Sequence, residues 1–232
     1  KKYEKLIANI LLKQHNNIKS VLKKTSKRKG KFRLTKYKLL AGEKNTETIH
    51  KEYGYLIKLD PTKVYFSPRE STERIRIANK VKRNENVLVL FSGVGPYIIA
   101  ISKKNPSTNI YGIEINQIAH KYTKENIILN KLDNVKLFKG DVKKILPKIK
   151  LKFDRIIMPA PKNAEKYLPV IKNKLKKKTI MHFYDFSQEK DFPNKSINKI
   201  KKYFKKVKIL KAIKCGNVSP YNYRICIDFQ VL

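Results

Sequence analysis

The sequence predicts an α/β fold: a seven-stranded, mostly parallel, Rossmann-like sheet preceded by a small α+β module. Three observations carry that expectation. Val87-Leu88-Val89-Leu90 is an apolar run of strand length with no polar alternation, the pattern of a strand buried on both faces. It runs into Phe91-Ser92-Gly93-Val94-Gly95-Pro96, a turn whose glycines can take positive φ and whose proline can open a helix. Asn109 to Glu114 is a second short apolar run, and it ends in an acid about 20 residues beyond the glycines.

Taken in order, residues 1 to about 29 read as a helix, with Tyr3, Leu6, Ile7, Ile10 and Leu11 on one face at 3.6 spacing. Lys23-Lys24 and Lys27-Arg28-Lys29 form a basic segment, either a solvated linker or a phosphate contact. Strand patterns follow at Phe32 to Leu40, Thr46 to Tyr53 and Tyr55 to Leu59, punctuated by Gly42 and Gly54. Residues 1–63 therefore read as the small module and 64–232 as the main domain. Ser67, Pro68 and Glu70 have capping-box spacing for a helix reaching Val81.

Beyond Glu114 the pattern gives a helix from Gln117, a strand from Asn134 to Lys139 and a strand from Phe153 to Met158. A helix over 163–178, a strand from Thr179 to Phe186 and a helix over 194–206 come next. Val207 to Cys215 and Arg224 to Val231 then form a hairpin. That finish departs from a dinucleotide dehydrogenase and fits a sheet that closes on an antiparallel strand.

These elements put a nucleotide-type pocket at the sheet's carboxyl edge. Glu114 stands where a carboxylate accepts ribose hydroxyls. Position 98 is Ile, so the turn lacks the third glycine of the usual pyrophosphate fingerprint. A ligand with a ribose and no phosphate fits better, and S-adenosyl-L-methionine is the expected cofactor. Asp141, at the end of the third strand, is placed to read an adenine amino group and equally to cap the next helix. Pro159-Ala160-Pro161 is a rigid loop at the pocket mouth.

Composition narrows the partner. The net charge is +37, from 55 basic and 18 acidic residues. Drift in an AT-rich coding sequence explains part of it, but so large an excess calls for a polyanion, and nucleic acid comes before membrane. No run of about 18 apolar residues exists and the opening residues form no signal peptide, so a cytoplasmic chain with no membrane partner is expected. Two cysteines are too few for a disulfide framework, and the four histidines show no metal-ligand spacing. Arginine is rare, eight against 47 lysines, yet Arg69, Arg74 and Arg76 fall within eight residues beside Glu73. Arginine's planar fork is hard to replace by lysine at a recognition site, although the same spacing also suits a solvated Glu/Arg helix face.

Phe66-Ser67-Pro68-Arg69, Thr72-Glu73-Arg74, Phe91-Ser92-Gly93-Val94-Gly95-Pro96 and Asp154-Arg155-Ile156-Ile157-Met158 together resemble the archaeal and eukaryotic tRNA guanine-37 N1-methyltransferase family. Phe32-Arg33, Leu39-Leu40-Ala41-Gly42-Glu43 and Glu52-Tyr53-Gly54 look like that family's second domain. The resemblance covers nearly the whole chain. It implies a Rossmann-like class I methyltransferase acting on tRNA as a monomer, with Glu73 the general base and Arg33 the contact to the target guanine. Arg74 belongs to the same active-site motif. Tyr65 and Arg69 line the cofactor pocket, Glu114 and Asp141 hold ribose and adenine, and Phe91, Gly93, Gly95 and the loop around Pro161 enclose the methionine end.

Two departures stand out. Pro159 occupies the place of the family's asparagine, which hydrogen-bonds the target base, and proline cannot donate. This looks like the archaeal sub-branch tied to the wyosine pathway, whose members methylate guanine N1 and also C7 of 4-demethylwyosine. The family's N-terminal domain is expected to be missing or vestigial, which would leave tRNA binding to the basic surface. Chemistry agrees with the parts: guanine N1 carries a proton, so its methylation needs a base and a cation at O6, on a base pulled from its stack. The rivals are aminocarboxypropyl transfer from the same cofactor and a non-catalytic RNA-binding module.

Overall fold

The computed structural model describes residues 3–28, 30, 32–160 and 162–232. The chain begins with α1 (Glu4–Gln14) and four short strands, β1 (Ser20–Lys24), β2 (Tyr37–Gly42), β3 (Thr48–Glu52) and β4 (Tyr55–Leu59). A 3-10 turn at Pro68–Glu70 leads into α2 (Ser71–Ala78). The wound domain follows as β5 (Asn86–Leu90), α3 (Pro96–Lys104), β6 (Asn109–Glu114), α4 (Gln117–Leu129), β7 (Val135–Lys139), α5 (Val142–Ile145) and β8 (Phe153–Met158). It ends with α6 (Leu168–Ile171), β9 (Leu175–Gln188), α7 (Asn194–Lys201), β10 (Val207–Ser219) and β11 (Asn222–Val231).

One seven-stranded sheet, ordered β10-β11-β9-β8-β5-β6-β7, organises the molecule. Strands β5 to β9 pair in parallel, and β11 lies antiparallel to both β9 and β10. Val87, Leu88, Val89 and Leu90 are fully buried because β5 sits at the centre with a hydrophobic layer on each face. The winding direction reverses between β5 and β8, so their carboxyl ends open a crevice where ligands bind in such sheets.

The small module is tied to this sheet by polar surrogates for a missing strand. Asn126 of α4 and Asn130 at its C-terminal cap each bond one residue's N–H and C=O along the open edge of β4, at Lys58 (2.7 and 3.0 Å) and Leu56 (2.9 and 2.6 Å). Pairing an edge through side-chain amides satisfies groups that burial would otherwise strand. On the opposite face of β4, Tyr55, Ile57 and Leu59 are buried in the core.

Three stretches differ from the sequence expectation. The first helix stops at Gln14, and Ser20–Lys24 pairs antiparallel with β2 instead, since Val21 and Leu22 gain partners in Ala41 and Leu39. The apolar stripe of α1 is left largely open, with Leu6 57% and Ile7 55% exposed, while Ala8 is buried. The expected strand from Phe32 contracts to β2. The helix expected over 163–178 breaks into 3-10 turns around α6, because Asn163 takes a left-handed φ of 59° and Pro169 has no N–H to give.

Candidate active site

The crevice between β5 and β8 opens as a cleft. Its walls come from several parts of the chain: Phe32 and Arg33 from the small module, Tyr65, Phe66, Glu70 and Arg74 around α2, Phe91 to Val94 after β5, Glu114 ending β6, and Pro159 and Ala160 after β8. A neighbouring compartment contains Asp141, Ile113, Lys162 and Tyr167 and shares Arg33, Phe91, Ile115 and Ala160 with the first. Both lie at the sheet's carboxyl edge.

The turn after β5 tests which nucleotide fits. Gly93 N–H donates to Glu114 Oε2 (2.8 Å) and Gly95 N–H to the Ser92 carbonyl (2.9 Å). Two amides that a pyrophosphate would need are thus spent inside the protein. Glu114 is fixed instead: its other oxygen takes the Asn116 N–H at 2.6 Å. Burial raises its pKa, with those backbone donors opposing the rise. Each carboxylate oxygen keeps lone-pair capacity, which suits a pair of ribose hydroxyls. Gly95 has φ +85° and a Cβ there would lie 2.8 Å from Thr123 Cγ2, whereas a Cβ on Gly93 would meet nothing within 4 Å. Asp141 caps α5 by accepting from Lys143 N–H (2.9 Å), and its position in the second compartment leaves both of its expected roles compatible. The donor set fits an adenosyl group without phosphate.

Other expected site residues fall in different places. Arg33, Tyr65, Phe91, Gly93, Glu114 and Pro159 come together around the cleft. The Tyr65 ring lies under two guanidinium groups, Arg28 at 4.5 Å and Arg33 at 4.4 Å, an arrangement that holds Arg33 over the opening. Arg74 also reaches the wall, but its fork is closed on Glu52 (2.7 and 2.6 Å) and the Ser67 carbonyl (3.2 Å). It therefore clamps the β3–β4 hairpin to α2, and removing one partner of so buried a pair costs about 3–5 kcal/mol. Arg69 is exposed on the 3-10 turn and away from the cleft lining, which corrects its expected pocket place: the short turn points it outward. Pro161 lies outside the described residues.

Glu73 is the largest displacement. Its carboxylate is buried behind the wall, taking Arg76 Nε at 2.6 Å, Arg76 Nη2 at 2.8 Å and the Tyr184 hydroxyl at 2.5 Å. Arg76 is shared, donating also to Asp228 at 2.6 Å. Besides Glu114, the carboxylate that faces the cleft is Glu70. The expected capping box does not form, since Ser67 makes no side-chain cap. Glu70 turns inward to accept from the Tyr65 hydroxyl (3.0 Å) and pairs with Arg224 at 3.3 Å. Arg224, nearly buried, also donates to the Pro159 carbonyl (3.0 Å) and stacks over Tyr184 (4.2 Å). Arg224 carries no sequence signal and Glu70 a misleading one, because both act through side chains that only the folded chain brings together.

The polar cluster behind Glu73 continues across the sheet. His182 Nδ1 lies 2.6 Å from Asp228, and Arg155 Nη1 lies 2.8 Å from its Nε2. With Arg155 donating to Nε2, the ring is neutral and Nδ1–H donates to Asp228. Burial holds His182 below the ordinary imidazole range; Asp228 opposes that and the two arginines reinforce it. His182, Cys226 and Asp228 lie close to one another, but Arg155 already engages His182 and Arg76 engages Asp228, whose carboxylate is the one charge of the three that balances a guanidinium. The thiols lie behind the wall too, and burial pushes Cys215 up to about 12, which removes it as a nucleophile. One consequence is measurable. Below about pH 6.5 the unfolded chain protonates this histidine and the folded chain does not, so stability falls as pH drops, by up to about 1.4 kcal/mol per unit. Urea midpoints at pH 7 and 5.5 should show the fall, and His182→Gln should flatten it.

A doubly wound sheet with one reversed strand, its phosphate donors spent and its ribose acceptor fixed, places the molecule among the Rossmann-like S-adenosylmethionine-dependent methyltransferases. Residues 48–211 match the TRM5/TYW2 methyltransferase domain and residues 1–46 the TYW2 N-terminal domain. The chain belongs to the TRM5/TYW2 methyltransferase family. It is 39% identical to the tRNA (guanine(37)-N(1))-methyltransferase Trm5b of Pyrococcus abyssi, over 100% of this chain and 69% of that protein. It is 37% identical to the tRNA(Phe) (4-demethylwyosine(37)-C(7)) aminocarboxypropyltransferase of Methanocaldococcus jannaschii, over 81% of this chain and 74% of that one. The structure of aTrm5 with tRNALeu superposes with a TM-score of 0.87 at 35% identity, covering 100% of this chain and 66% of that one. The chain thus spans about two thirds of the length of these methyltransferases, and among its described residues no helix is long and apolar enough to cross a membrane.

Proposed function

We propose that the chain methylates N1 of guanine 37 in tRNA, in the cytoplasm and as a monomer, using S-adenosyl-L-methionine. The observation that carries this reading is that Arg33, from the small module, lines the same cleft as Gly93 and Glu114. A fork donor for a purine carbonyl and the seat of an adenosyl ligand then face one space. When bound there, the cofactor supplies an electrophilic methyl group. Glu114 and Asp141 hold its ribose and adenine ends, and Phe91 and Gly93 enclose the remainder, while Gly95, outside the cleft lining, closes the turn against Thr123. Arg33 neutralises charge that develops on O6 as N1 loses its proton. Glu73 is the final proton acceptor, and Arg74 keeps α2 in register beneath the base. Tyr65 holds Arg33 in place by stacking.

A second reading follows from the Pro159 wall. Arg224 holds the Pro159 carbonyl, and Phe32, Phe66 and Ala160 complete an apolar surface with no amide side chain. Such a wall accepts a larger tricyclic base, which supports C7 methylation of 4-demethylwyosine as an additional activity. Sequence identity near 40% to both reaction types does not separate methyl from aminocarboxypropyl transfer. The test is incubation with cofactor and an unmodified tRNA transcript, followed by mass analysis of the nucleosides. A 1-methylguanosine product is expected. An aminocarboxypropyl adduct, or no product despite tRNA binding, would replace this reading with one of its rivals.

A further inference from the structure

Glu73 and the cleft are separated by two tyrosines, and the hydrogen bonds between them run in one direction. Tyr97, in the first turn of α3, stands on the cleft wall. Its hydroxyl donates to the Tyr184 hydroxyl at 3.1 Å, and Tyr184 donates to Glu73 Oε1 at 2.5 Å. Both rings are buried, at 3% and 0% exposure, and burial keeps both hydroxyls in their neutral form. Sequence reading absorbs neither residue, since Tyr97 sits in a run of core apolars and Tyr184 in a buried strand.

We infer that Tyr97 and Tyr184 form a proton relay that connects the methyl acceptor in the cleft to Glu73. The inference rests on the proposed N1 methylation and concerns how its proton leaves. The N1–H bond breaks as N1 keeps its electron pair for the new bond to the methyl carbon, whose bond to the cofactor's sulfonium sulfur would break with sulfur keeping that pair and leaving as a neutral thioether. That proton goes to the Tyr97 oxygen, the Tyr97 proton to the Tyr184 oxygen, and the Tyr184 proton to Glu73 Oε1. Each hydroxyl ends as it began, one proton in and one out, and Glu73 ends as a carboxylic acid.

Electrostatics favours Glu73 over Glu70 as the terminus. Glu70 is the only acid bonded to Arg224, whose other partners among the described residues are a carbonyl, a thiol and a ring. Protonating Glu70 would leave a nearly buried guanidinium without a counter-charge, which is costly. Arg76, by contrast, keeps Asp228 at 2.6 Å after Glu73 is neutralised. Lys80, 3.7 Å from Asp228, and Lys199, paired with Asp185, belong to the surrounding shell and do not contact Glu73.

Tyr184→Phe and Tyr97→Phe each delete one oxygen from the chain and keep the ring. In single-turnover assays with full-length protein and tRNA transcript, each should lower N1 methylation by about 100-fold at neutral pH. Cofactor affinity by calorimetry and the thermal midpoint should stay near wild type. The variants' rates should rise tenfold per pH unit toward the wild-type rate as the pH nears ionisation of N1–H itself, because an ionised N1 needs no acceptor. A purely structural defect would not climb that way. Wild-type rates in both phenylalanine variants would overturn the relay, and if Glu70→Gln alone lost activity the acceptor would be Glu70. Absence of 1-methylguanosine from the wild-type reaction would instead remove the underlying reading.

Discussion

Glu73→Gln is expected to lower N1 methylation by about 100-fold or more while leaving S-adenosylmethionine affinity within a few-fold of wild type. The size is that of removing the proposed final proton acceptor. The selectivity comes from geometry: Glu73 lines neither compartment of the cleft, and its bonds run to Arg76 and Tyr184. Glutamine keeps the shape and still accepts from Tyr184, so the fold should survive. Its amide cannot take the proton, and its amino group meets the Arg76 donors, which costs some stability. Thermal midpoints should therefore be read beside rates. A variant as active as wild type would take Glu73 out of the mechanism, and a parallel loss of cofactor binding would mean that the carboxylate shapes the pocket.

How much of this was legible beforehand differs by element. The central strand, the glycine turn and the acid ending β6 are visible because each is local: four buried apolar residues, two glycines and one carboxylate within 28 positions. Arg33 enters through a resemblance of motif, and the fold brings it to the cleft from a module 60 residues away from Gly93. Glu70 misleads because its spacing from Ser67 suits a capping box, whereas its real partners, Tyr65 and Arg224, are 5 and 154 positions distant. Tyr97 and Tyr184 look like core aromatics and are core aromatics; only their hydroxyl contacts distinguish them. Periodicity also overcounts helix wherever lysine-rich stretches are neutral between helix and strand, as at Ser20–Lys24. There the pairing with β2 decides.

Affinity for tRNA should fall about 1,000-fold between 50 and 200 mM salt, given about six neutralised phosphates and a slope near 0.9 per phosphate. The protein's own acids cannot blunt this. Of 18 acidic residues, Glu52, Glu73, Glu85, Asp185 and Asp228 are bound to buried or half-buried cations inside the fold, so the surface keeps most of the +37. That charge is mainly lysine, a compact and strongly hydrated cation that attracts phosphate without reading a base. The proposed function thereby divides binding strength from base choice, with lysines to gather the polyanion and Arg33 and the cleft to select what is methylated. Salt should accordingly move the tRNA dissociation constant steeply and leave the single-turnover rate at saturating tRNA nearly flat. Fluorescence anisotropy across a salt series, paired with saturated single-turnover rates, separates the two. A log–log slope shallower than about 2 would mean that the lysine excess reflects codon bias and contributes little to holding RNA.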